Sequence, residues 1–92
     1  MYQIVTTRSF RKSFKRVLRS KTFNIQEFEY VVGLLGKGKV LPTKYRDHAL
    51  TGEYKGFRDV HIQPDVVLLY VKIESILVLE LVNIGSHSEL FN

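Results

Sequence analysis

The sequence predicts one α+β domain over residues 1–92, ordered β-α-α-β-β-β, with two helices packed on one face of a small antiparallel sheet. Three observations predict it. The first part of the chain holds two stretches with a helical apolar period; the last part holds β-branched apolar runs; short turn signals separate these runs.

Tyr2 to Thr6 alternates loosely and reads as a first strand. From Ser9 to Arg19, Phe10, Phe14, Val17 and Leu18 form an apolar stripe, and Arg11, Lys12, Lys15, Arg16 and Arg19 occupy the other faces. Asn24-Ile25-Gln26-Glu27 resembles a capping box and opens a second helix, with Phe28, Val31, Val32 and Leu35 as its buried stripe. Gly36-Lys37-Gly38 terminates that helix. Val40 to Arg46, which includes Pro42, is an ordered connection. A three-stranded meander follows: Tyr54 to Gln63, a turn at Pro64-Asp65, Val66 to Ile73, a turn at Glu74-Ser75, then Ile76 to Val82. Gly85 breaks the last strand, and Ser86 to Phe91 forms a turn or a short helical turn. The sheet face opposite the helices is left free to be concave and polar.

A domain of this size buries roughly 60–65% of the surface of its unfolded chain, and a hydrophobic content of 45% is ample for that. The absence of cysteine excludes disulfides and thiolate metal sites. Met1 to Arg8 lacks the uninterrupted apolar core of a signal peptide, and no apolar run approaches the ~20 residues of a membrane span. A soluble cytoplasmic protein with no membrane partner is the expectation.

The formal net charge is +5, and its distribution is more telling than its size. Arg8, Arg11, Lys12, Lys15, Arg16, Arg19 and Lys21 precede the first acid, Glu27, whereas Lys72 is the only base after Arg58. Such polarity steers a polyanion or an acidic protein onto one face; a solvated basic helix is the ordinary alternative.

All 3 histidines lie in the second half, each in a compact polar motif: Asp47-His48, Arg58-Asp59-Val60-His61-Ile62-Gln63-Pro64-Asp65, and Gly85-Ser86-His87-Ser88-Glu89-Leu90-Phe91. Histidine titrates nearest neutrality and is the usual proton carrier in catalysis. A basic docking face together with a histidine group points to nucleic-acid chemistry. No histidine pair has the short spacing of a zinc site, so neither metal nor cofactor is expected.

The stretch DHALTGEYKGFRDVHIQPDVVLLY, Asp47 to Tyr70, with the ending GSHSELF, Gly85 to Phe91, resembles the YafQ branch of the RelE-type bacterial toxins. The resemblance implies the RelE-type fold and a ribosome-dependent messenger-RNA endonuclease acting in the decoding site. It also implies a cognate antitoxin that binds the toxin directly, with operator DNA reached only through that antitoxin. Position by position, the family's functional histidines fall on His48, His61 and His87, its aspartate on Asp65, and its C-terminal aromatic on Phe91. Two positions depart from the family pattern: Asn83 stands where an arginine is usual, and Val66 replaces an aromatic after the aspartate.

Metal-free RNA cleavage needs a base for the 2′ proton, an acid for the leaving 5′ oxygen and a cation near the phosphorane. His87 is the acid in this reading and His48 the base, with His61 and Asp65 placed to orient or replace it. With Asn83 at the clamp position, Arg58 or a basic residue of the first helix is left to hold phosphate. Strand alternation puts Arg58 and His61 on opposite faces, however, while Asp59 and His61 share one. Asp65 also suits a tight turn, and Phe91 serves either to close the core or as a base-stacking platform. The basic face of the first helix is expected to meet ribosomal RNA phosphates. The rival reading is a RelE-fold protein with weak or no catalysis, acting as an antitoxin-bound corepressor or as a ribosome- or gyrase-binding toxin.

Overall fold

A computed structural model describes residues 1–91. Strand β1, Gln3–Thr6, leads into helix α1, Arg8–Leu18, whose N-terminus is capped by the Thr7 hydroxyl accepting from the Phe10 N–H at 3.0 Å. Helix α2, Ile25–Gly36, starts at Asn24 as its motif predicts, the Asn24 side chain accepting from the amides of Gln26 and Glu27. Gln63 fixes this corner from the sheet. Its amide oxygen accepts from the Asn24 N–H at 2.8 Å, and its NH₂ donates to the Thr22 carbonyl at 2.8 Å.

The other strands are β2, His48–Ala49, β3, Arg58–Gln63, β4, Val66–Ile73, and β5, Val78–Gly85, followed by a short helix α3, His87–Phe91. Five strands lie in the order β1-β5-β4-β3-β2. Pairing is antiparallel from β2 to β5, as the meander predicts, but β1 pairs parallel to β5. The sheet is therefore mixed. Parallel neighbours need a long crossover, here supplied by everything between β1 and β5, and no local pattern in Tyr2 to Thr6 reveals so distant a partner.

Both helices cover one sheet face, as predicted. Phe10 and Val17 of α1 and Val31, Val32 and Leu35 of α2 join Val60, Ile62, Leu68, Tyr70, Leu79, Leu81 and Ile84 in one core. Between the helices, the rings of Phe10, Phe14, Phe23 and Phe28 stack with centroids 4.8–6.2 Å apart. Leu18, predicted on the apolar stripe, is 48% exposed. Eight residues after Phe10 its side chain has rotated about 80° from the Phe10–Val17 line, off the edge of the buried stripe.

Three strand boundaries move by two residues or more, one of them the end of β5, which runs past the expected Val82 to Gly85. Gly52 and Gly56 adopt φ of +67° and +96° and wind Gly52–Tyr54 into a 3₁₀ turn, so β3 begins at Arg58 rather than Tyr54. Glu74–Ile76 forms another such turn and Leu77 takes a left-handed φ of +52°, which delays β5 to Val78. Ile76 and Leu77 are exposed turn residues despite their strand-like chemistry.

Leu35 joins α2 to the sheet with 1% of its surface exposed. Leu35→Ala is predicted to cost about 2–5 kcal/mol by the cavity it leaves, measurable as a lower urea midpoint with unchanged slope.

Candidate active site

Alternation along β3 and β4 divides the sheet into two faces. Val60, Leu68 and Ile84 align across three strands and point into the core. The rows on either side point the other way: His48, Asp59, Leu69 and Asn83 in one, His61, Val67 and Gly85 in the next. The two-residue strand β2 was not anticipated, and it is what brings His48 beside Asp59.

On this face a cleft of about 350 Å³ is lined by Arg46, His48, Leu50, Thr51, Tyr54, Asp59, His61, His87 and Phe91. Three predicted catalytic histidines and the predicted aromatic thus share one cavity. His48 is anchored most firmly. Its Nδ1 lies 2.7 Å from the Arg46 carbonyl oxygen; a carbonyl only accepts, so Nδ1 is protonated, and in the neutral ring the lone pair is on Nε2. The same Nδ1 is 3.1 Å from Asp59 Oδ1. Its N–H is directed at the carbonyl, and Asp59 Oδ1 has no hydrogen bond among the described residues; the contact with the carboxylate is electrostatic.

Asp59 lines the cleft and was not among the site residues expected from the sequence. It is 2% exposed, the one buried charged side chain among the described residues. Burial pushes its carboxyl above the usual aspartate range, against the opposing pull of His48, His61 and His87. The signal was present in the alternation that places Asp59 on the face of His61.

His87 is the first residue of α3 and Phe91 lies one turn on, so both side chains emerge on one side, with ring centroids 4.8 Å apart. Tyr54 meets Phe91 edge-on at 5.1 Å. Phe91 therefore packs within the cleft wall rather than against the main core. Helix α3 is held by a reciprocal capping box: the Ser86 N–H donates to Glu89 Oε1 at 2.8 Å, and the Glu89 N–H donates to the Ser86 hydroxyl at 3.2 Å. The Ser86 N–H holds the Glu89 carboxyl below the usual range. Arg16 of α1 sits 3.4 Å from the other Glu89 oxygen.

The other predicted site residues do not line this cleft. Asp65, in the β3–β4 turn, lines a separate cavity of about 200 Å³ with Arg16, Gly85, Ser86 and Glu89. Arg58 faces away from the cleft, as alternation requires. Its Nε donates to the Tyr70 hydroxyl at 3.1 Å and lies 3.4 Å from Asp47 Oδ1, to which Tyr70 itself donates at 2.5 Å. Arg58 thus braces Asp47, the neighbour of His48. Asn83 is on the site face but half-buried, its side-chain oxygen accepting from the Ile84 N–H at 2.9 Å. On α1, Arg11, Lys12, Lys15, Arg16 and Arg19 are all exposed. Arg11 donates to the Thr6 carbonyl and Arg16 meets Glu89, whereas Lys12, Lys15 and Arg19 make no ion pair among the described residues.

Comparison with known proteins decides the family. Residues 2–92 match the bacterial toxins of type II toxin–antitoxin systems, YafQ. The chain belongs to this family. A 69-residue stretch, 74% of this chain and 73% of the relative, is 36% identical to the mRNA interferase toxin YafQ of Escherichia coli K12. A metal-bound toxin from Helicobacter pylori superposes with a TM-score of 0.90 at 40% identity, over 99% of this chain and 100% of the other. YafQ in the E. coli DinJ–YafQ toxin–antitoxin complex superposes at 0.85 with 29% identity, over 99% and 98% of the two chains. Among the residues described here, no three His, Cys, Asp or Glu side chains converge closely enough to hold a metal ion.

The buried Asp59 carboxylate gives a signed prediction. Its folded-state pKa is raised, so the stability it contributes is complete below the ordinary aspartate pKa of about 4 and lost as pH rises through the raised value. At neutral pH the charge is therefore a cost. Asp59→Asn is predicted to raise the melting temperature at neutral pH, by a margin that narrows towards about pH 4, while RNA cleavage falls. A variant less stable than the parent at neutral pH would contradict the cost assigned to this charge.

Proposed function

We propose that this YafQ-family toxin is an endoribonuclease, an mRNA interferase that cuts messenger RNA in the ribosomal A site by metal-independent acid–base catalysis. The observation that carries the reading is the convergence of His48, His61 and His87 on one cleft with Phe91. The mRNA interferase relative in E. coli gives the same class of reaction.

In the proposed mechanism the neutral His48 ring, its Nδ1–H bound to a backbone carbonyl, accepts the proton of the attacking 2′-hydroxyl at Nε2. The 2′-oxygen forms a bond to the adjacent phosphorus, and the bond from phosphorus to the 5′-oxygen of the next nucleotide breaks. His87 gives its proton to that 5′-oxygen. The products are a 2′,3′-cyclic phosphate and a 5′-hydroxyl, so atoms and charge balance without an outside reagent. His61 shares the cleft and stands ready to assist the base. Phe91, half-buried at the cleft edge beside His87, offers a ring on which a base can stack. Asp65, which lines a separate cavity, has no part in orienting His48 in this reading.

The exposed bases of α1 meet ribosomal RNA phosphates. Binding of the DinJ type gives the second partner: a cognate antitoxin that neutralises the toxin by direct contact, as the E. coli complex does for its YafQ. No helix among the described residues is long and apolar enough to cross a membrane, in keeping with a site of action on cytoplasmic ribosomes.

Two outcomes test this. Mapping of messenger-RNA 5′ ends after brief induction is expected to reveal new ends at a fixed position within codons. His87→Ala should lower their yield roughly 10²–10⁴-fold without weakening antitoxin binding; undiminished cleavage by a folded variant would remove His87 from the mechanism. On α1, the triple change Lys12→Gln, Lys15→Gln and Arg19→Gln should weaken ribosome binding and flatten its dependence on salt. An unchanged salt slope would assign that face to another partner.

A further inference from the structure

The histidine cleft contains one lysine or arginine, Arg46. Of the other candidates for holding a phosphate, Arg58 is bound to Tyr70 and Asp47 behind the sheet, Arg16 meets Glu89, position 83 is an asparagine, and the unpaired Lys12, Lys15 and Arg19 do not line the cleft. The Arg46 guanidinium, by contrast, makes no hydrogen bond or ion pair among the described residues, and the residue is exposed.

Its backbone is a second, independent observation. Arg46 has φ +51° and ψ +40°, left-handed values that glycine and asparagine adopt more readily than arginine. The turn Thr43–Tyr45 ends in this conformation, which aims the Arg46 carbonyl at His48. An arginine in so unfavourable a conformation, with its charge unpaired, points to a use for the side chain. A third observation gives a direction. Arg46 and His61 also line the adjoining cavity of about 580 Å³, beside Lys44 and Tyr45, so Arg46 stands where the two spaces meet.

We propose that Arg46 is the phosphate-binding residue of this toxin. Its guanidinium grips the scissile phosphate by two N–H donors, offsets the charge that grows on the phosphorane, and directs the neighbouring nucleotide into the cavity shared with His61. The planar fork of arginine fits two phosphate oxygens. The proposal rests on the nuclease reading above and names the cation that reading requires.

The test uses Arg46→Asn and Arg46→Lys in the full chain, with two readouts: cleavage on programmed ribosomes, and direct binding of a 2′-O-methyl RNA trinucleotide, which presents phosphates but has no 2′-hydroxyl to react. Asparagine suits the left-handed backbone, so Arg46→Asn is expected to fold with a melting temperature at or above that of the parent. Its cleavage rate at saturating ribosomes should fall roughly 10²–10³-fold, and Arg46→Lys should recover part of the loss. The slope of trinucleotide affinity against salt should drop by about 0.7. Parental cleavage and an unchanged salt slope in Arg46→Asn would overturn the proposal. Should the parent not cleave at all, the nuclease reading fails by itself, and the trinucleotide still decides Arg46. Weaker binding by Arg46→Asn then upholds a phosphate site, and equal binding removes it.

Discussion

A carboxylate sealed under three histidines is the constraint on which the rest of the site depends. Asp59 is 2% exposed, and one of its oxygens has no hydrogen bond among the described residues. Burying a charge so poorly compensated costs several kcal/mol, a large share of the roughly 5–15 kcal/mol that holds a domain together. It persists because β2 and β3 leave the side chain no way out. Asp59 pairs with His48 on one side and Leu69 on the other, and the next residue along the strand, Val60, is locked in the core. The negative potential it creates is felt by every histidine in the cleft. An imidazolium formed during proton transfer would therefore find a counter-charge already in place, with no reorganisation at the moment of reaction.

Strand β4 makes this arrangement affordable in so small a chain. Its residues Val66, Leu68 and Tyr70 face the helices, while Val67 and Leu69 are buried on the opposite side, beneath the site. Most half-exposed sheets alternate apolar and polar residues; this strand is apolar on both faces because the site needs a dry floor. Tyr70 extends the logic at its far end. Its hydroxyl, donated to Asp47 and supported by Arg58, fixes the residue next to His48 from behind the sheet. Burial and this hydrogen bond both hold the Tyr70 hydroxyl in its protonated form, far above the ordinary tyrosine range. The donor is thus present at any physiological pH.

How much of this was legible in the sequence depends on whether the information was local. The bounds of β4, the Asn24 cap and the short helical turn within Ser86 to Phe91 are short-range matters of periodicity and hydrogen bonding, and the structure places them where the residues indicate. Of the residues that the family motif singles out, His48, His61, His87 and Phe91 line one cleft, and Asp65 lies outside it. What escaped was non-local. The parallel partner of β1 lies at the other end of the chain. The pairing of His48 with Asp59 needs the unheralded strand β2. Ile76 and Leu77 have strand-like side chains but are turned outward by a left-handed backbone that apolar residues seldom signal. Asp59 was half legible: alternation put it on the histidine face, yet a lone aspartate in a strand gives no sign of being buried.

The division of labour proposed for His48 and His87 follows from how differently the fold holds them. His48 is gripped at Nδ1 by a backbone carbonyl and lies against Asp59, on a strand two residues long that is itself part of the sheet. One tautomer is thereby imposed, with Nε2 an acceptor, which is what a base requires. His87 makes no hydrogen bond among the described residues; its ring rests on Phe91 at the exposed start of α3. No partner there competes for its proton, and solvent can reload it after each turnover, which is what an acid requires. The two residues also hang from separate supports, β2 braced by Asp47 and α3 braced by Glu89 and Arg16. Since a misplacement of about 1 Å between reacting groups can cost 10²-fold in rate, Arg16 and Arg58 serve the proposed chemistry as braces. Neither needs to touch RNA to do so.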